Sequence, residues 1–328
     1  MKKSVKISIL IASILSVVGL VVCTVGLFLM NFDFSKLNTM PTQTNTHVVT
    51  EEFCSISIQT NTADVVFVFS EEEECRVVCQ EPEGVTHSVS VEEGLLEGTL
   101  VIKVQDTRKW YDHLGISFGE IKVTVYLPYS QFIGDLSIKT NTGDVEIPDF
   151  FTVRSVDIVT DTGDVSVGNV NVAGNVSIET ETGDISLDSL LTFGALRVKT
   201  NTGDVDCIGG FAKSIDAKTN TGTMDFQYVE TEGAFFASAN TGNILLRATE
   251  VGSKLTGVTN TGDVTFDRSD AASISVTTDT GDVTGSLLSE KIFFANSKTG
   301  KIQTPKGMSG GECEITTDTG DIIRTIAD

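Results

Sequence analysis

The chain has 328 residues, with 23 Lys and Arg against 45 Asp and Glu, for a formal charge of −22. Forty per cent of it is hydrophobic and 30 residues are Gly, which excludes wholesale disorder and leaves room for one long domain or two ordinary ones. So acidic a chain lacks the basic footprint a phosphate backbone needs, excluding nucleic acid as a partner; six Cys make no disulfide framework, and three His (His47, His87, His113) with one Trp (Trp110) provision catalysis poorly.

Ile7 to Met30 is an uncharged run. As a helix it would span roughly 36 Å, more than the ~30 Å hydrocarbon core. A secretory signal core is shorter and ends in a small-x-small cleavage site, whereas this run closes on Leu27-Phe28-Leu29-Met30. Leu20-Val21-Val22-Cys23 loosely resembles a lipoprotein processing site, but Val stands where a small residue should precede the Cys. Lys2, Lys3 and Lys6 precede the span and only Lys36 lies close after it. The positive-inside rule therefore predicts a cytoplasmic tail at 1–6, a transmembrane helix at 7–30 and an extracellular remainder. Ala12, Ser16, Gly19, Cys23 and Gly26 recur on one helical face. Small residues are common in such helices, but a stripe of them also lets two helices approach closely, so the span is a candidate docking face for itself or another membrane protein.

Residues 31–47 are polar and without periodicity, as a tether would be. Internal repetition follows. Thr-Gly pairs fall at Thr142, Thr162, Thr182, Thr202, Thr221, Thr241, Thr261, Thr280, Thr299 and Thr319, each 19 or 20 residues after the last. That fixed period is the signature of a solenoid. Apolar and polar residues alternate around each pair, as in Val176, Ile178, Thr180 and Thr182, then Ile185 and Leu187, which reads as strand, turn, strand. The turn Asn/Asp/Glu-Thr-Gly-Asp opens on a small polar residue. Its Gly (Gly143, Gly163, Gly183, Gly203, Gly262, Gly281, Gly320) supplies positive φ. The inward columns should hold Val, Ile, Leu and Phe with a Thr ladder beside the turn, and should bury Cys207 and Cys313 as small hydrophobes. Residues 48–139 alternate less regularly, and Asn61-Thr62-Ala63-Asp64 looks like a degenerate turn. This segment is placed to cap the first open edge. The far end shows no cap; Asp321, Arg324 and Asp328 are the residues there that could deter pairing.

The apolar N-terminus, the strands Gly-Thr-Leu-Val-Ile-Lys-Val and Ile-Lys-Val-Thr-Val-Tyr-Leu-Pro (121–128), and the serial Asn-Thr-Gly-Asp-Val units resemble a known group. It is a bacterial domain-of-unknown-function family described as "putative adhesins" with β-strand repeats, common in Gram-positive bacteria. The resemblance runs from about Val48 to the C-terminus and implies an envelope protein without an established reaction. Some relatives are associated with envelope-stress responses, which implies a regulatory alternative.

Motifs that could carry chemistry reduce to the repeat. Asp-Thr-Gly at Asp161, Asp279 and Asp318 matches the aspartic-protease tripeptide, but Asn, Glu or Lys replaces the Asp in sister copies. Gly-x-Ser-x-Gly at 115–119 and 307–311 lacks the strand–turn–helix setting of a nucleophile elbow. Stacked turn aspartates could attract calcium, but one Asp per turn supplies too few of the 6–8 oxygens it wants, and copies at Thr223, Asn243 and Lys301 depart from Asp. The least repetitive stretch, Gln105 to Glu120, gathers Arg108, Trp110, Tyr111 and His113, residue types found at binding hot spots. The same aromatics could instead pack onto the cap. Cys75 and Cys79 share a strand face too far apart to bridge each other, and either could meet Cys54.

The expectation is an all-β, right-handed β-solenoid of about ten 20-residue coils. A β cap at 48–139 precedes the repeats at 140–328, and one transmembrane helix precedes both. Function is expected to be non-enzymatic, with no catalytic residue, metal or cofactor. The expected partners are the bilayer, a membrane protein or a second copy through the helix, and cell-wall or host surface material. The first reading is envelope binding or scaffolding. The second is regulation through the helix.

Overall fold

The computed structural model describes residues 3–29, 41–93, 98–108, 120–129, 131–307 and 309–327, with side chains in the helix from 12 to 26 and at 28 and 29. Helix α1 covers Lys3–Leu29. Among the described residues no helix is long and apolar enough to cross a membrane. Every element described after it is a β-strand.

The first seven strands are β1 (Thr42–Val49), β2 (Ser55–Gln59), β3 (Asp64–Ser70), β4 (Cys75–Pro82), β5 (Val85–Glu92), β6 (Thr99–Asp106) and β7 (Lys122–Pro128). β1 therefore begins inside the stretch expected to be a tether. β2, the Asn61–Asp64 turn and β3 form the first coil: β2 pairs in parallel with Leu136 to Lys139, and β3 with Val145 and Glu146. On its outer side the cap switches to antiparallel pairing. β6 lies parallel to β2 and carries β5, while β7 lies parallel to β3 and carries β4 and then β1. Mixed direction ends the solenoid here with two short sheets rather than one open edge.

The repeats comprise β8 (Ile133–Thr142), β9 (Val145–Ile147), β10 (Phe151–Thr162), β11 (Val165–Val167), β12 (Val170–Val172), β13 (Val176–Thr182), β14 (Ile185–Thr202), β15 (Val205–Thr221) and β16 (Met224–Thr231). They continue through β17 (Phe235–Thr241), β18 (Ile244–Arg247), β19 (Glu250–Thr261), β20 (Val264–Thr280), β21 (Val283–Leu287), β22 (Lys291–Thr299), β23 (Ile302–Gln303), β24 (Gly311–Thr319) and β25 (Ile322–Ile326). All pair in parallel, giving a right-handed solenoid of about ten turns. β14 runs around two corners by breaking its inward–outward alternation at each: the phase shifts at Ser189, which has positive φ, and again between Thr192 and Ala195.

Two facing columns explain how one lumen accepts different side chains. Before the turn the inward column reads Val198, Ala217, Ala237, Gly257; after it, Cys207, Phe226, Leu246, Phe266. Residues shrink on one side where they grow on the other, which keeps the core at constant volume. Phe226 meets Phe235 edge-on at 4.8 Å. A second corner holds Phe150, Ser189, Tyr228, Ala248 and Arg268 at positive φ, a conformation that Phe and Tyr adopt only where the surrounding ladders impose it.

The C-terminal end differs from the expected simple stack. β24 and β25 pair with β20 and β21, one coil down, while β22 and β23 pair with β24 and β25 from outside. The last coil of the chain is thus interior, and the penultimate coil is the tip. Arg324 does not deter pairing at an edge, as its place near the C-terminus suggested. It is 2 % exposed, stacks 4.0 Å above the Phe266 ring, and donates from Nη1 to Thr284 O at 2.5 Å. Its register neighbour one coil down is Gly285.

Candidate functional site

The turn is the most repeated polar feature. Asp144, Asp164, Asp184 and Asp204 each offer Oδ1 to the backbone N–H at the same place one coil on, at 2.6–2.8 Å. Asp64 of the degenerate turn starts the series by accepting from Asp144 N at 2.9 Å. Asn243 accepts from Asp263 N in the same way. Past Asp282 the series follows space rather than sequence: Asp321 N donates to Asp282, and Lys301 N to Asp321. Lys301 lies on the outermost coil, where no further N–H needs an acceptor. The carboxylates are therefore rungs of a ladder, and two of the three departures from Asp have a structural reason. Thr223 N donates to Asp204 Oδ1, and its own hydroxyl has no structural explanation.

Behind the turn runs a second ladder. Thr180, Thr200, Thr219, Thr259, Thr278 and Thr317 donate Oγ1–H to the carbonyl of a turn Gly on the neighbouring coil at 3.0–3.2 Å. The turn glycines Gly143, Gly163, Gly183, Gly203, Gly262, Gly281 and Gly320 have φ between 148° and 158°. A Cβ on Gly183 would also stand 2.0 Å from Gly163 O, so two coils could not approach to pairing distance.

Of the loop residues singled out from the sequence, Arg108 is tied down. It donates from Nε and Nη2 to the Asp106 carboxylate at 2.9 and 2.6 Å. Its stem covers Gly84, where a Cβ would meet Cγ at 2.8 Å. Trp110, Tyr111 and His113 lie outside the described residues. In α1, the stripe residues Ala12, Ser16, Gly19 and Cys23 are exposed and Gly26 is half-buried, with open space around Gly19 and Gly26.

Sequence reading missed a buried polar relay in the cap. His87 Nδ1–H donates to Glu81 Oε2 at 2.9 Å, Thr60 Oγ1 meets His87 Nε2 at 3.0 Å, and Asn45 Nδ2 donates to Glu81 Oε1 at 2.7 Å. The carboxylate can only accept, so Nδ1 carries the proton, and Nε2 is left facing the Thr60 hydroxyl. The order hydroxyl, imidazole, carboxylate is that of an activated nucleophile. Here Thr60, His87 and Glu81 are 5 %, 3 % and 0 % exposed, so the relay is sealed from any substrate and instead locks β1, β4 and β5 onto the first turn. A signal existed: Cys75, Val77, Cys79 and Glu81 share one strand phase, and so do Val85 and His87, which pointed both polar side chains inward.

Two further features bear on chemistry. Ser186, Asp188, Asp206, Ile208, Asp225 and Gln227 line a shallow groove of about 480 Å³. There burial first, and then the neighbouring Asp225, Asp204 and Asp184, push the Asp206 carboxyl above its ordinary value. Arg247 donates to Asp225 at 2.6 Å and neutralises part of this charge. Among the described residues no cluster of three or more His, Cys, Asp or Glu is placed to hold a metal. The thiols of Cys75, Cys79, Cys207 and Cys313 are free and buried. Burial pushes the first three up to about 12 and Cys313 to about 11, so they are inert.

A family model described as Toastrack DUF4097 matches residues 53–257, well over half of the chain. The chain belongs to this family. The Toastrack match opens beside β2, the first coil, and ends within β19; the last coils, with their exchanged order, lie beyond it. No curated protein matches the chain. Among solved structures, a "putative adhesin" from Bacteroides fragilis is 17 % identical over 88 % of this chain and 99 % of its own, with a TM-score of 0.38. Another from Parabacteroides distasonis is 12 % identical over 88 % and 98 %, with a TM-score of 0.40.

Proposed function

We propose that this Toastrack protein is a non-enzymatic, membrane-anchored rod outside the cell, which binds or scaffolds envelope components along its faces. The observation that carries the reading is the surface of α1. Leu15, Leu20, Phe28 and Leu29 are 66–80 % exposed, and each large apolar side chain left in water forgoes about 1.5–3 kcal/mol of burial. Lipid would cover them. The lysines before the span and the acidic chain after it support an outward-facing rod. The rod supports binding over catalysis, since its polar groups are spent on ladders between coils rather than converging on one reacting atom. Protease added to intact cells should digest the strands and spare α1; an untouched rod would refute the topology.

A second reading, regulation through the helix, is favoured by the open space beside Gly19 and Gly26. Crosslinked partners of the native protein should then be lost when residues 7–30 become a poly-Leu span. Partners retained on poly-Leu assign binding to the rod.

A further inference from the structure

The tip coil is unlike the rest of the rod in three respects. First, its edge is open: among the described residues β22 pairs only with β24, and β23 only with β25. Roughly half of the β22 residues therefore direct N–H and C=O outward along the rod axis. Second, the side chains that should seal the lumen do not. Phe293 and Ala295 point inward yet are only partly buried against the core, and Ile302, beside buried Ile322, is 44 % exposed; Phe294 on the outward face is 56 % exposed. Third, its charge is inverted. Between Glu290 and Glu312 lie Lys291, Lys298, Lys301 and Lys306 and no acid, in a chain of net charge −22. Lys291 is buried against Asp270 at 2.6 Å; Lys298, Lys301 and Lys306 are exposed.

The rod's own packing says what such an edge accepts. Along its faces a cation on one coil meets an acid on the next: Arg154 on Asp135, Lys199 on Glu179, Arg197 on Asp216 and Lys298 on Asp318. The acid of this last pair lies on the inner side, so a strand added outside would place its own acids against Lys298 and Lys301. A second tip would bring lysines onto lysines, which opposite-sign pairing forbids. We propose that the tip coil is a docking edge for an extended, acidic segment of a partner protein, which adds a strand to β22. Backbone hydrogen bonds hold that strand, its alternate apolar residues cover Phe293 and Ala295, and its carboxylates answer the lysines.

The test uses the full chain in nanodiscs and a fluorescent eight-residue peptide of alternating Val and Glu. Saturable binding is expected, with slowed amide exchange confined to residues 291–303. Methylating alternate backbone nitrogens of the peptide should weaken binding at least tenfold, because strand pairing is lost while charge and apolar surface remain. Reversing Lys298, Lys301 and Lys306 to Glu should weaken it by a similar factor; all three are exposed, and unchanged exchange in β14 and β15 would show the rod intact. No binding, equal binding of the methylated peptide or of a Val-Lys peptide, or protection located elsewhere would each overturn the proposal. So would tip-to-tip self-association of the chain without peptide.

Discussion

Asp184 tests the ladder most directly. Its Oδ1 accepts from Asp204 N at 2.7 Å, and its own N–H donates to Asp164. Asp184→Asn and Asp184→Ala both remove one charge, so the relief of repulsion is the same in each. With carboxylates about one strand spacing apart, that relief is about 0.9 kcal/mol per neighbour in water before salt screening. What differs is the acceptor, which Asn keeps and Ala lacks, and a net hydrogen bond of this kind contributes about 1 kcal/mol. Amide exchange of Asp204 should therefore be about fivefold faster in Asp184→Ala than in Asp184→Asn, at low and high salt alike. Asp184→Asn should gain on the native chain as salt is lowered, since the charge-assisted bond it gives up is offset by lost repulsion. Asn243, which already bonds Asp263 N, shows that the amide fits. Equal exchange in the two variants would refute the ladder as a stabilising element. A native-only protection that calcium enhances would instead require a cation at the turn.

Other outcomes follow from the same geometry. Gly183→Ala, which places Cβ 2.0 Å from Gly163 O at φ 151°, should cost at least about 2 kcal/mol and loosen exchange in β13 and β14; native-like protection would contradict the stacking distance. Arg324→Met should unfold at the same or a higher temperature, while Arg324→Ala, which empties the space over Phe266, should lose about 2–4 kcal/mol. Burial lowers the Arg324 guanidinium to about 10, so the unfolded chain binds the extra proton between about 10 and the ordinary value. Native stability attributable to this group should rise with pH across that window, and a fall in the difference between native and Arg324→Met would refute it. Finally, iodoacetamide at pH 8 should leave Cys75, Cys79, Cys207 and Cys313 unmodified in the native chain and label them in urea; rapid native labelling of Cys207 would contradict its burial at 2 %.

The period of 19–20 residues and the two-residue alternation made the solenoid legible, because stacking forces one side chain per column to repeat its environment. Even the Asn61–Asp64 turn could be recognised, since Asp64 still accepts a bond from the coil above. The order of the last two coils was not legible. β22 and β24 carry the same motif, and a parallel ladder of like strands pairs equally well in either order, so nothing local records which lies outside. The cap relay was half legible: strand phase turned Glu81 and His87 inward, but their meeting depends on the antiparallel register of three strands. Of the loop candidates, Arg108 could not be known as tied, because Asp106 reads as one acid among many until the chain folds back over Gly84.

The exchange of the final coils makes the C-terminus a keystone. The rod can add layers as the chain emerges only as far as β21; the next layer of the stack, β24 and β25, is synthesised after β22 and β23 and must enter beneath them or precede them into place. A break in the 304–310 connection that released the final residues would remove an inner layer and leave the outermost one, with its exposed lysines, without its only strand partner among the described residues and held at its start by the Lys291–Asp270 contact.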